Sequence, residues 1–228
     1  MSVVTDPDLQ RLLTDLHAKS DAQAADMQYF LNGVRYRLPT DEEFKLFRSD
    51  KLLALDRDKA EFCYQLCRAI DARRIVEIGT SYGVSTLYLA AAVRDNVELS
   101  GGSGVVIGTE YEPAKVAAAR LLFERTGLSR FIDLREGDLR ETLRQIDAPV
   151  DFMLIDAWIG TAQPALELVA PWLRQGAIVV CDDSFKYRNG YAGYLAFLAD
   201  PANGFRTMTL PFQGGLEFSV RCDAKTSR

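Results

Sequence analysis

Three aspartates stand where short apolar runs end. Asp156 closes the run in Leu154-Ile155-Asp156-Ala157-Trp158, and Asp182 and Asp183 close Val179-Val180-Cys181-Asp182-Asp183. If the two runs are neighbouring parallel strands, three carboxylates meet at one edge. Their repulsion must be relieved by a cation, a proton or a hydrogen-bond donor. Oxygen ligands without His or Cys suit magnesium, manganese or calcium better than zinc. Helix capping and turn formation are the other use of the same residues.

Earlier run ends suggest a nucleoside site. Ile75-Val76-Glu77-Ile78 leads into Gly79-Thr80-Ser81-Tyr82-Gly83-Val84-Ser85. Glycines allow close backbone approach, and the helix that follows offers free N–H groups. The spacing Gly-x3-Gly puts Ser81 where a dinucleotide fingerprint has its middle glycine, and a Walker lysine is missing. A plain tight turn is the competing explanation. The next run ends in Gly108-Thr109-Glu110, whose carboxylate suits two ribose hydroxyls. The third leads to Glu136-Gly137-Asp138-Leu139. Asp138 can cap the following helix, accept from an adenine amino group, or do both.

The elements that must position these residues follow from periodicity. A helix with Leu9, Leu12, Leu13 and Leu16 on one face starts after Asp6-Pro7, a capping residue with proline in the first turn. A segment with Met27, Tyr29, Phe30 and Leu31 stops at Asn32-Gly33, and Phe44, Leu46 and Phe47 begin another helical piece. Residues 60–70 form a further helix. From Arg74 five strands alternate with helices: strands at 75–78, 105–107, 132–134, 151–155 and 177–181, helices at 84–93, 113–125, 139–146, 161–173 and 191–198. That alternation is a parallel sheet covered on both faces. Residues 94–104, with Ser100-Gly101-Gly102-Ser103-Gly104, read as a solvated excursion. Strands at 205–210 and 216–220 are joined by only Pro211-Phe212-Gln213-Gly214-Gly215 and must pair antiparallel.

Composition narrows the function further. The 228 residues carry 27 Lys+Arg and 32 Asp+Glu, a formal charge of −5, which gives no bulk attraction for nucleic acid or an anionic membrane. No apolar run reaches membrane-spanning length, and Met1–Leu16 has no signal-peptide core, so the expectation is a cytoplasmic protein. Cys63, Cys67, Cys181 and Cys222 read as reduced, mostly buried thiols. The single histidine, His17, reads as a surface residue of a polar helix, which leaves His-based triads and zinc sites unsupported.

At these motifs the chain resembles the class I S-adenosylmethionine-dependent methyltransferases, and within them the catechol O-methyltransferase-like group of bacterial small-molecule O-methyltransferases. The likeness covers about residues 57–221 and rests on Val76–Thr86, Gly108–Pro113, Gly137-Asp138, Leu154–Trp158, Cys181–Asp183 and Gly214–Phe218. It implies a Rossmann-like, seven-stranded, mostly parallel sheet of order 3-2-1-4-5-7-6 with strand 7 antiparallel. Residues 1–56 would be a helical extension for the acceptor pocket or dimer contacts, and 57–228 the cofactor-binding domain. By the same resemblance Glu77, Gly79, Thr80, Ser81, Gly83, Ser85, Glu110, Tyr111, Gly137, Asp138, Asp156 and Trp158 would bind S-adenosylmethionine. Asp156, Asp182 and Asp183 would hold a divalent metal, magnesium first, and Glu217 would meet substrate hydroxyls.

Two positions depart from the family pattern. Ile159 stands where the family has a lysine that acts as general base, and Asp183 stands where asparagine is common. Isoleucine cannot take a proton, so a bound metal, Asp156 or the nearby Lys186 and Tyr187 would have to activate the acceptor. The expected activity is methyl transfer to a hydroxyl of a small aromatic molecule with metal assistance, in a chain able to form a homodimer. A metal-independent methyltransferase on another acceptor, and a non-catalytic cofactor-binding protein, are the alternatives.

Overall fold

The computed structural model describes residues 3–23, 46–47 and 49–222. Seven strands form one sheet in the order β3-β2-β1-β4-β5-β7-β6. They are β1 Arg74–Ile78, β2 Val105–Glu110, β3 Ile132–Glu136, β4 Val150–Ile155, β5 Leu173–Asp182, β6 Phe205–Leu210 and β7 Leu216–Arg221. The first five pair in parallel, while β7 runs antiparallel to both β5 and β6. The five-residue β6–β7 connection turns on Gly214 and Gly215, whose φ values of +77° and +80° are open to glycine and strained for other residues.

The helices are α1 Pro7–Ala22, α2 Arg57–Ala69, α3 Val84–Ser100, α4 Pro113–Arg125, α5 Leu139–Thr142, α6 Ile159–Val169 and α7 Ala192–Ala199. Asp6 caps α1 by accepting from the N–H groups of Asp8 and Leu9, with Pro7 in the first turn, as the sequence predicts. Strand faces alternate between two cores. Ile75, Val106, Phe152 and Val180 pack under α1, α2, α3 and α4. Val76, Ile107, Met153 and Cys181 pack under α6 and α7.

Several expectations need correction. Residues 94–100 are not an excursion: α3 continues through them to Ser100 and ends at Gly101, φ +73°, which leaves only a four-residue link to β2. The glycines there mark a helix stop, not a loop. The helix expected over 139–146 stops at Thr142. The one expected over 161–173 gives way to a 3-10 turn at Ala170–Trp172, and Leu173 already belongs to β5. His17 is buried, 7% exposed, and its Nε2 lies 3.1 Å from the Tyr88 hydroxyl on α3. Burial, and then the charge of Arg57, hold its pKa below the ordinary 6.5. Cys63, Cys67 and Cys181 are buried free thiols and Cys222 is half-buried. Tyr29, Phe30 and Phe44 lie outside the described residues. Among the described residues no helix is long and apolar enough to cross a membrane.

Candidate functional site

The strand order reverses between β1 and β4, so their carboxyl ends open a crevice where ligands of open parallel sheets bind. Pairing aligns the ends: Ile78 sits beside both Thr109 and Ile155, and Ile155 sits beside Cys181. The residues that follow these positions therefore crowd together: Gly79, Glu110, Asp156 and Asp182.

The loop after β1 is built for close approach. Gly79 has φ +90°, and a Cβ there would collide with the carbonyl oxygen of Asp156. Gly83, φ +87°, opens α3 against the Phe123 ring, where a side chain would also collide. Ser81 adopts φ +51° without being glycine, a local strain that the loop must hold in place. Glu110 does so by accepting from the Ser81 N–H at 2.7 Å, while its other oxygen accepts from the Glu112 N–H at 2.8 Å. Glu77 works from beneath. Its fully buried carboxylate accepts from the hydroxyls of Thr80 at 2.8 Å, Ser85 at 2.7 Å and Thr86. Burial pushes its pKa up, against those three donors. The resemblance reads Glu77, Thr80 and Ser85 as cofactor contacts, but these side chains bond to one another under the loop.

The rest of the expected cofactor side lies at the rim. Asp138 caps α5, accepting from the Arg140 N–H at 2.8 Å, and remains exposed. Gly137 precedes it with φ +128°. Tyr111 and Trp158 are 59% and 42% exposed, so Trp158 is not a core residue. A narrow cleft of about 10 Å³ runs between Gly79–Tyr82, Ser85 and Asp156 on one side and Leu52–Leu55 on the other. That roof was missed in the sequence. It is tied down by Leu52 N–H to Gln23, Ala54 N–H to Ser20, and the Tyr82 hydroxyl to the Asp50 carbonyl. No motif marks it; a Leu-Leu-Ala-Leu run before a helix is the only trace.

The carboxylate edge contains a residue that motif reading also missed. Lys59, in the first turn of α2, is 1% exposed, and its Nζ donates to Asp182 at 2.6 Å and to Asp56 at 2.8 Å. Burial alone would favour the neutral amine, but the two carboxylates raise its pKa above the ordinary value. Asp156 is pushed well up by burial and by the charges of Asp182, Glu77 and Asp183. Burial lifts Asp182 as well, to about 6, with the Lys59 ammonium opposing the rise. Asp183, φ +54°, faces Lys186 at 3.5 Å.

A divalent cation does not fit this arrangement. Asp182 already carries an ammonium, Asp183 faces a second one, and no three His, Cys, Asp or Glu among the described residues stand ready to hold a metal. Lys186 is half-exposed, and burial, which would lower its pKa, is outweighed by Asp183, so it stays protonated where a base must be free. Glu217 is buried, and its oxygens accept from Thr207 and, at 2.6 Å, Thr209. It shares a register position with Cys181, on the α7 face of the sheet, and the two threonines occupy its carboxylate.

Beside this edge lies an open depression of about 460 Å³, lined by Ile159, Phe185, Lys186, Tyr187 and the 188–190 turn. Its floor is fastened to the β6–β7 turn, since the N–H groups of Phe185 and Lys186 both donate to the Gly214 carbonyl.

Comparison with known proteins agrees with this geometry. Residues 76–184 match a family described as a methyltransferase domain. A catechol O-methyltransferase of Mycobacterium tuberculosis is 30% identical over 132 residues, 58% of this chain and 57% of that protein. A catechol O-methyltransferase of Niastella koreensis is 29% identical over 139 residues, 58% of each. The match thus spans just over half the length of these curated relatives. An O-methyltransferase from Bacillus cereus, solved in complex with SAH, superposes with a TM-score of 0.67 over 90% of this chain and 99% of that one, at 21% identity. That likeness is one of fold. The matched domain, the strand order and the loops at the strand ends agree: residues 76–184 are similar to a methyltransferase domain, carried on the fold shared with solved O-methyltransferases.

Proposed function

We propose that this chain moves a methyl group from S-adenosylmethionine to a hydroxyl of a small aromatic molecule. The observation that carries the proposal is the switch-point crevice, where the Gly79–Gly83 loop, the Glu110 carboxylate and Asp156 converge. The cofactor supplies an electrophilic methyl on a sulfonium. The loop backbone and the α3 N-terminus would face its amino-acid part, Glu110 the ribose, and Asp138 and Trp158 the adenine. Tyr111 and Gly137 would border the same pocket.

The acceptor would lie in the depression beside Ile159, against Phe185 and Tyr187, with the N-terminal extension closing the cofactor side through Leu52–Leu55. Asp156 lines the cleft; burial and the neighbouring carboxylates raise its proton affinity, and in its ionised form it would take the hydroxyl proton. Asp156 would pass the acceptor's proton on to solvent as the acceptor oxygen takes the methyl group that a bound cofactor would supply. Bringing nucleophile, methyl and sulfur into line is the larger part of the task, because proximity alone lowers the barrier substantially.

Calorimetric titration with S-adenosylhomocysteine and with NAD tests the cofactor class. Binding of the first and not the second is expected. A panel of phenols and catechols then tests the transfer. Binding without turnover on any hydroxyl would favour a non-catalytic cofactor-binding protein, the reading that Ile159 in place of a lysine invites.

A further inference from the structure

A lysine in the first turn of a helix meets the positive end of the helix dipole, and a buried lysine loses its hydration. Both effects disfavour Lys59 where it stands. It is nevertheless 1% exposed, with Nζ between Asp56, the residue before α2, and Asp182, the end of β5. The second contact spans 123 residues and ties α2 to the strand edge where the resemblance expects a divalent cation. The remaining carboxylate of the pair, Asp183, has its own ammonium in Lys186, and Gly214 packs so closely on it that a side chain there would collide with Oδ1.

We propose that Lys59 is the resident cation of this site: its ammonium takes the place of a divalent metal, fixes Asp182, and leaves methyl transfer independent of added metal. Lys59 is a positioning residue. The inference rests on the methyltransferase reading for its meaning, but its test does not depend on turnover. To bind magnesium or manganese, Asp182 would have to surrender a 2.6 Å charged contact and leave a buried ammonium with Asp56 alone. Removing the ammonium while keeping the apolar stem should instead vacate a three-carboxylate edge that accepts a hard cation.

The probe is manganese alone, followed by electron paramagnetic resonance on the full chain. Wild type and Lys59→Arg should leave the free-ion signal unchanged at concentrations where Lys59→Met takes up about one equivalent, at least roughly tenfold more tightly than wild type. Asp182→Asn in the Lys59→Met background should abolish that uptake. Wild-type turnover should be the same with and without chelator. Stoichiometric manganese binding by wild type that Asp182→Asn removes would overturn the proposal, and this measurement stands even if Lys59→Met fails to fold. Failure of a folded Lys59→Met to gain the site would also overturn it. S-adenosylhomocysteine titration of the same samples separates the two readings. A wild type that binds it and also binds manganese loses only the Lys59 assignment. A wild type that binds neither loses the methyltransferase reading and keeps the resident cation.

Discussion

Glu110 was legible as a strand-end carboxylate, but not its second task. Sequence shows a Glu after an apolar run; it does not show that the same carboxylate grips Ser81 in a conformation serine rarely adopts. Glu110→Ala should therefore weaken S-adenosylhomocysteine binding by about 1.5–3 kcal/mol, the scale for hydrogen bonds to a charged group. Part of that loss would come through the loop. Calorimetry should show a less favourable entropy as the freed loop is ordered on binding, and an unchanged affinity would remove the ribose assignment. Glu77 shows the opposite gap. Its motif position marks it as functional, yet burial and three hydroxyl donors place it under the loop. Glu77→Gln swaps one acceptor oxygen for a donor that faces hydroxyls already donating. Urea unfolding should show a loss of about 1–3 kcal/mol, the range for a buried polar group left unsatisfied.

At the scale of elements, strands and their order were readable because apolar β-branched runs ending in Gly or Asp are short and distinctive, as at Ile75–Ile78 and Val179–Asp183. Helix ends were less so: nothing in Arg94–Ser100 announces that α3 continues until its packing is seen. Lys59 escaped notice because its partner is 123 residues away, and no local pattern encodes a contact of that span. His17 escaped for the same reason, its partner Tyr88 lying on α3. The burial of His17 has a consequence for pH. Its folded pKa lies below 6.5, so on acidification the unfolded chain takes up the proton first. The stability it supports is complete above about pH 6.5 and is lost as pH falls from there through the folded pKa. Arg57 adds to this depression, whereas Asp21 and Asp56 oppose it. Melting temperature should therefore fall more steeply between about pH 7 and pH 5 for wild type than for His17→Gln, which has no proton to bind. Parallel pH profiles would show that His17 does not titrate on unfolding.

For the whole molecule the question is whether α1 is an appendage or part of the folding unit. Residues 1–56 read as an extension because the family likeness begins at about residue 57. Yet Leu9, Leu13 and Leu55 are buried in the same core as Ile75, Leu87 and Phe152. The chain has two tryptophans, Trp158 and Trp172, which flank α6, a helix packed in the second core, whereas α1 packs in the first. Their fluorescence reports the sheet and its second core, while far-UV circular dichroism reports every helix. Leu13→Ala empties a site that is 1% exposed and should cost about 2–5 kcal/mol, the range for a buried leucine cut to alanine. If the two cores unfold together, both probes should shift to lower urea by the same amount and remain superimposed. If α1 is an appendage, dichroism should lose amplitude early while the tryptophan transition stays at its wild-type midpoint. The shared core argues for the first outcome. Because the Leu52–Leu55 roof is tied to α1 through Ser20 and Gln23, Leu13→Ala should then weaken S-adenosylhomocysteine binding as well, although residue 13 does not line the cleft.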